Sequence, residues 1–90
     1  MINKLDIILR TAEILLEDYP DGWQGDIHEF ATASACTTPD ERLWLTSYDV
    51  KDFHSQLSGG SFISEYAFIS ASLEQGEPLL IIEDVDSGKV

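Results

Sequence analysis

The chain has 90 residues, and 17 acidic against 5 basic residues give it a formal net charge of −12. This length fits one folded unit, so residues 1–90 are expected to form a single acidic domain. The charge argues against direct binding of nucleic acid or of anionic membranes, because phosphate groups would repel it. A hydrophobic fraction of 43% with 10% aromatic residues indicates a folded core rather than an acidic disordered tail.

The composition also predicts a cytoplasmic location. Cys36 is the single cysteine, so no internal disulfide can form, which is typical of a reducing compartment. Asp6 and Arg10 interrupt the first apolar stretch, which a secretory signal would keep uncharged. No apolar run approaches the roughly 18–20 residues that a membrane span requires.

The first element is predicted to be a helix with one apolar stripe. The residues that recur at helical spacing are Leu5, Ile8, Leu9, Ala12, Leu15, Leu16 and Tyr19. Asn3 can cap its start, and the Pro20-Asp21-Gly22 sequence ends it. Ile7 and Ile14 lie beside the stripe, where they would either widen the buried face or contact a partner.

Residues 27–36 fit two interpretations. Their Thr and small residues favour a strand, followed by a turn at residues 37–41 and a second strand over residues 42–46. The alternative is a short helix capped by Asp26, with Glu29 at the third position. We prefer the strand, because the Pro-containing segment after it has the composition of a turn.

A second helix is predicted to begin at Ser47, which has the side chain of an N-cap, with Asp49 in the first turn. Glycines 59 and 60 would end this helix. Its inner stripe consists of Val50, Phe53 and Leu57.

The last third of the chain is also ambiguous. Phe62, Tyr66, Ile69 and Leu73 match a helix, but residues 62–73 are rich in strand-forming side chains. Residues 74–77 would then form the hairpin connection to a strand over residues 79–82. A lone C-terminal strand would need a partner, so we prefer the hairpin.

The predicted fold is therefore a small α+β domain in the order helix, two strands, helix, two strands, with an antiparallel sheet. The alternative is a mostly α-helical domain with one C-terminal strand. Residues 20–25 are expected to form a loop between the first helix and the next element.

No combination of residues indicates catalysis or metal binding. Asp26, His28 and Glu29 are suitable ligands, but on a strand they would point to opposite faces. Cys36 beside His28 or His54 would need a third group to orient the base, and the acidic surroundings do not favour a reactive thiol. A buried structural cysteine is the simpler interpretation. We therefore predict no enzyme activity, no metal and no cofactor.

The acidic residues occur in small groups between apolar residues, so we place them on the surface of the folded domain. Such a surface can attract a basic partner at long range. We include one tryptophan, because tryptophan is enriched at interface hot spots. The candidate partner-binding residues are Glu13, Glu17, Asp18, Asp21 and Trp23, together with Asp49 and Asp52 on the second helix.

The predicted function is a small inhibitor that binds the basic nucleic-acid-binding surface of a partner protein by charge mimicry. Its composition resembles that of phage or mobile-element inhibitors of CRISPR or restriction nucleases, and of inhibitors of uracil-DNA glycosylase. One alternative is an immunity protein or antitoxin that neutralises a basic toxin. Another is a non-catalytic accessory subunit that forms a homodimer through Ile7, Ile14 and its strand edges.

Overall fold

The computed structural model describes residues 4–37, 45–57 and 60–85, with the backbone alone for residue 37. Within them the chain forms three helices and a four-stranded antiparallel sheet of order β1-β4-β3-β2, which confirms the predicted α+β class. The mostly α-helical alternative is wrong. The elements in chain order are α1 (Lys4–Asp18), β1 (Trp23–Asp26), α2 (Ile27–Thr37), α3 (Ser47–Leu57), β2 (Ser61–Ile63), β3 (Ala67–Glu74) and β4 (Glu77–Asp84).

The sheet has one buried face, and the three helices pack against it. Ile69 of β3 lies opposite Ile82 of β4, and both are completely buried. Because successive strand residues point to opposite faces, Ala67 and Ile69 of β3 and Leu80 and Ile82 of β4 enter the core from the same side of the sheet. The buried apolar residues are Ile7, Ile8, Ala12, Leu15, Ile27, Phe30, Leu45, Val50, Phe53, Ala67, Ile69, Leu80 and Ile82.

The buried face of α1 is displaced from the predicted stripe toward Ile7 and Thr11. Ile7 is therefore a core residue, whereas Leu5 and Tyr19 of the predicted stripe are 39% and 53% exposed. The Thr11 hydroxyl can be buried because it donates a hydrogen bond to the Ile7 carbonyl at 2.8 Å. Ile7 is thus buried in the core and is not available for the self-association that we considered.

The preferred strand over residues 27–36 is wrong, because this segment forms α2. The backbone N–H of Glu29 donates to Asp26 Oδ1 at 2.8 Å, and the Asp26 N–H donates to Glu29 Oε1 at 3.0 Å. These two bonds are a capping box, and they satisfy donors that a helix start leaves unpaired. The buried side chains Ile27, Phe30 and Ser34 recur with helical rather than strand spacing.

The second predicted strand, over residues 42–46, is wrong at the two residues that the structure describes, Leu45 and Thr46. Residues 38–44 lie outside the described residues, so the predicted turn and most of this strand do too. Leu45 is buried in the core without strand pairing, and Thr46 caps α3. The Asp49 N–H donates to Thr46 Oγ1 at 3.2 Å, so the cap stands one residue before the predicted Ser47. At the other end, the Gly60 N–H bonds the Leu57 carbonyl at 2.8 Å.

The predicted C-terminal hairpin is confirmed. β3 and β4 pair along their full length and are joined by Gln75 and Gly76, whose φ angles are +54° and +83°. Positive φ at both central residues is the signature of a type I′ turn, whose twist matches that of the flanking strands. The helical alternative for residues 62–75 is wrong.

The predicted loop over residues 20–25 contains an additional strand, β1, which pairs with β4. Trp23 lies opposite Ile82, and its ring packs edge-to-face on Phe30 with a centroid distance of 5.8 Å. The same ring covers Gly25, where an added Cβ would stand 2.6 Å from ring atoms Cζ2 and Cη2. A residue without a side chain is therefore required under the tryptophan ring.

We predict that Gly25→Ala lowers the free energy of unfolding by about 1–3 kcal/mol, because the new methyl group displaces the Trp23 ring. Urea unfolding followed by circular dichroism measures the change. In a Trp23→Leu background the same Gly25→Ala substitution should cost much less, since the ring atoms are gone. Gln24→Ala, on the exposed neighbouring residue, is the control. An equal cost of Gly25→Ala in both backgrounds would contradict this explanation.

Candidate functional site

An open groove of about 400 Å³ lies where α1 passes the end of the sheet. Helix α1 supplies one wall, the turn between β2 and β3 supplies the second, and the end of β4 supplies the third. The lining residues are Glu13, Leu16, Glu17, Glu65, Tyr66, Asp84 and Val85. Four carboxylates therefore surround a small apolar floor, and no basic residue is among the described residues that line it.

Helix geometry places Glu13 and Glu17 side by side. They are four residues apart, which brings their Cβ atoms within about 5–6 Å of each other on one face of α1. Two like charges at this spacing destabilise a helix slightly, so local folding does not explain the pair. Glu17 is exposed and Glu13 is half-buried.

Ser64 fixes the opposite wall of the groove. Its hydroxyl oxygen accepts the backbone N–H groups of Ala67 at 3.0 Å and of Tyr66 at 3.3 Å. Its own N–H donates to the Ala67 carbonyl at 2.9 Å. This tight turn presents Glu65 and Tyr66 at its tip, and the Tyr66 side chain is 57% exposed.

The groove has the chemistry of a site for basic side chains. Carboxylates form charge-assisted hydrogen bonds with guanidinium and ammonium groups, and an aromatic ring attracts a cation above its face. Leu16 and Val85 offer apolar surface to the methylene stem of a lysine or arginine. The same set of groups would repel a phosphate or carboxylate ligand.

The structure brings only two of the predicted partner-binding residues, Glu13 and Glu17, into this groove. Asp18 and Asp21 are exposed at the end of α1 and in the turn after it, and they do not line the groove. This turn is held by the Gly22 N–H, which donates to the Tyr19 carbonyl at 2.9 Å. Trp23 is half-buried and packs against the core, as described above.

Asp49 and Asp52 form a separate group at the other end of α1. Lys4 Nζ, in the first turn of α1, lies 3.1 Å from Asp49 Oδ2. The thirteen-residue step from Lys4 to Glu17 corresponds to about 20 Å along a helix. These residues border a different groove, of about 490 Å³. One compact partner site containing all seven predicted residues is therefore absent from the described residues.

Asp49 has a local structural role. Its Oδ2 accepts the Thr46 backbone N–H and the Thr46 hydroxyl, both at 2.9 Å, which completes the cap of α3. The Thr46 backbone hydrogen bond, with smaller effects from the Thr46 hydroxyl and Lys4, outweighs the opposing effect of desolvation and lowers the Asp49 pKa. Asp52 is exposed and accepts a hydrogen bond from Gln56 Nε2 at 3.0 Å.

Sequence reasoning missed the other half of the acidic groove, namely Glu65, Tyr66 and Asp84. The relevant signal was Ser64, since a serine hydroxyl can hydrogen-bond the backbone two residues later and so form a turn. Instead, both interpretations of residues 62–75 placed Glu65 inside a regular element. Nothing in the sequence spacing indicates that Asp84 lies across from α1.

The residues considered for nucleophilic chemistry lie on two helices, α2 and α3. His28 and Cys36 are exposed on α2, so Cys36 is not the expected buried cysteine. His54 Nε2 lies 2.9 Å from the Ser72 carbonyl, to which it must donate because a carbonyl only accepts. Within residues 4–37, 45–57 and 60–85, no three His, Cys, Asp or Glu residues form a group that could hold a metal ion.

A larger groove of about 780 Å³ lies between α3 and the β3–β4 hairpin. It is lined mainly by apolar and small side chains, with Lys51 and His54 at its α3 wall. His54 and Ser55 are neighbours on a helix, and adjacent helical residues do not face each other. The groove therefore offers the Lys51 ammonium group beside an apolar floor. Its helix spacing does not bring Ser55 and His54 into contact as a nucleophile and a base.

Comparisons of the chain with protein-family models, curated proteins and solved structures found no match. Across the part of the chain that the structure describes, no helix combines the length and apolarity required to cross a membrane.

We predict that Asp49→Asn lowers the free energy of unfolding by about 1 kcal/mol at neutral pH, because a cap and an ion pair are weakened. The folded-state pKa of Asp49 lies below its unfolded value, so its charged form stabilises the fold. This contribution is complete above about pH 4 and is lost as the pH falls through the lowered folded-state value. The difference between the wild-type chain and Asp49→Asn should therefore disappear in acid.

Urea unfolding over a pH series measures this difference. Asp52→Asn, which removes the same charge one turn later without affecting the cap, is the matched control and should show a smaller difference. A wild-type advantage over Asp49→Asn that persists unchanged in strong acid would disprove the assignment.

Proposed function

We propose that the chain is a small acidic inhibitor that binds the basic nucleic-acid-binding surface of a partner protein by charge mimicry. The observation that carries this proposal is the groove with four carboxylates around the exposed Tyr66. The partner-binding residues of this proposal are Glu13, Glu17, Glu65 and Asp84, with Tyr66 as the aromatic contact.

The distribution of charge over the whole domain supports a basic partner. Among the described residues, the only buried polar side chains are Thr11 and Ser34, so every described carboxylate has some contact with solvent. A net charge of −12 exceeds the magnitude of about 2–8 that suffices for the solubility of a small domain. The excess weakens the compact state through self-repulsion, which favours a role for it in binding.

The rigidity of the groove supports mimicry of a nucleic acid. Duplex DNA presents about one negative charge per 1.7 Å of its axis, and proteins that bind it place Lys and Arg against these charges. In the groove, the backbone of α1 sets the positions of Glu13 and Glu17, and the hydrogen-bonded turn at Ser64 sets the position of Glu65. Because this backbone is already ordered, binding costs no further backbone entropy, which helps these glutamates to compete with phosphates for the same basic side chains.

The proposal is tested by displacement of nucleic acid from a panel of purified proteins: a uracil-DNA glycosylase, a restriction enzyme and a CRISPR nuclease. Each is loaded with fluorescently labelled duplex or guide RNA, and anisotropy is followed as the full chain is added. We expect displacement from at least one member, with an affinity that falls tenfold or more between about 50 and 200 mM salt. If the chain displaces nucleic acid from none of the three proteins, the proposal is contradicted.

Glu17→Lys should weaken this displacement about fivefold or more, because it places a like charge against the basic partner. Asp52→Lys is the matched control, since Asp52 is also an exposed helical carboxylate but lies outside the groove. Both variants change the net charge equally. A similar loss of affinity in both would mean that total charge, rather than the groove, determines binding.

A further inference from the structure

The face of the sheet opposite the helices carries a diagonal line of apolar side chains. Ile63 of β2 lies opposite Phe68 of β3, and the line continues through Ile81 to Leu79 on β4. We name these four residues the apolar diagonal. Ile63 is 61% exposed, and the other three are half-buried.

None of these four residues belongs to the core or is among the apolar residues packed against it. Their alternation with the buried residues Ala67, Ile69, Leu80 and Ile82 places them on the other side of the sheet. The three described helices pack against the first side, so none of them lies over the apolar diagonal. Single exposed apolar residues are ordinary, but a contiguous line of them marks an interaction site.

The dimensions of the apolar diagonal fit one helix. From β2 to β4 it crosses two strand spacings, or about 10 Å, and it advances about four residues, or about 14 Å, along the strands. Its length is therefore about 17 Å, which equals about three turns of an α-helix. Three small side chains border it on the β2–β3 side, where a helix could approach closely: Ser61, Ser70 and Ser72.

Among the described strand residues, the charges around the apolar diagonal are all negative. Glu83 and Asp26 border its β1 side, and Glu74 and Glu77 face each other at its hairpin end. The four strands contain no lysine, arginine or histidine. Gln24 Nε2 lies 3.5 Å from Glu74 Oε2, which shows that polar side chains of β1 and β3 meet on this face.

These negative charges indicate which kind of partner can bind the open face of the sheet. A second copy of the chain would bring the same carboxylates against each other without a basic residue from either sheet. An anionic ligand would be repelled in the same way. A helix with an apolar stripe flanked by Lys and Arg would satisfy both the apolar centre and the acidic border.

We infer that the open sheet face binds an amphipathic basic helix of the partner protein, with the apolar diagonal in contact with the apolar stripe of that helix. This inference rests on the proposed function, because it assigns the basic partner a second contact. The acidic groove lies at one end of this sheet but on its helix side, because the pair Ala67 and Asp84 points away from the face that carries the neighbouring pair Phe68 and Glu83. The sheet face measures only about 14 by 24 Å, so the partner must also reach around this end of the sheet into the groove to approach the roughly 800 Å² per partner of a standard interface.

The inference is tested with a defined probe and the full chain labelled with ¹⁵N. The probe is a helical peptide with leucines at i, i+3, i+4 and i+7 spacing and lysines elsewhere. A peptide with alanine in place of each leucine is the control, since it keeps the charge and the helix. Binding is mapped by the shifts of backbone amide signals.

We expect the leucine peptide to shift the amides of Phe68, Leu79 and Ile81, and to remain bound at about 1 M salt, where the Debye length is about 3 Å. The alanine peptide should shift only groove residues, and only at low salt. Ile63→Ser and Ile81→Ser should each weaken binding of the leucine peptide about fivefold or more. Leu73→Ser is the matched control, because Leu73 is 69% exposed on β3 but points to the helix side.

Equal affinity for the two peptides, or shifts confined to the helices, would overturn the inference. Concentration-dependent dimerisation of the free chain through the same amides would also overturn it, since a second copy would then be the occupant. Shifts on the sheet face combined with failure of the displacement assay would support the sheet site and reject charge mimicry. Displacement without shifts on the face would support charge mimicry and reject the sheet site.

Discussion

Ile69 and Ile82, paired across the two central strands and fully buried, hold the three helices against one side of the sheet. This one-sided burial determines where the remaining features lie. Side chains that alternate with the buried ones emerge on the other face, and the helices direct their charged sides outward. The acidic groove forms at the border, where α1 extends past the end of the central strands.

The acidic residues serve the fold as well as the surface. Each of the three helices has a carboxylate in its first turn, namely Asp6, Glu29 and Asp49. Negative charge is favourable there, because the first N–H groups of a helix are unpaired and carry a partial positive charge. Part of the net charge of −12 is therefore used for local structure. The pair Glu13 and Glu17 has no such local use, which separates it from the carboxylates that cap helices.

Strong periodicity made part of this structure predictable. The apolar repeat of α1 identifies this helix without tertiary information, and the helix is present in the structure. The β3–β4 hairpin was less certain from the sequence, because residues 62–73 also match a helix and only the need of a C-terminal strand for a partner favoured the hairpin. The segment from Ile27 to Cys36 misled the prediction, because its capping box competes with a composition that also suits a strand. Packing of Phe30 against Trp23 and the rest of the core favours the helix over the strand. This packing exists only in the complete fold, so the sequence of the segment alone does not reveal it. Only part of the groove could be predicted from the sequence. Helical spacing on α1 places Glu13 and Glu17 together, whereas Asp84 lies near them only because the sheet packs against α1.

The strand order has a consequence for how the chain folds. Among the described elements, β1 is the second to be synthesised and β4 is the last, yet they are neighbours, with Trp23 opposite Ile82. β4 also separates β1 from β3, so it is the strand that joins the two parts of the sheet. Contacts so distant in sequence slow folding, because a long loop must close before the pairing can form. The helices can form before β4 is available, but the four-stranded sheet cannot exist until β4 has paired between β1 and β3, so the pairing of β4 completes the fold.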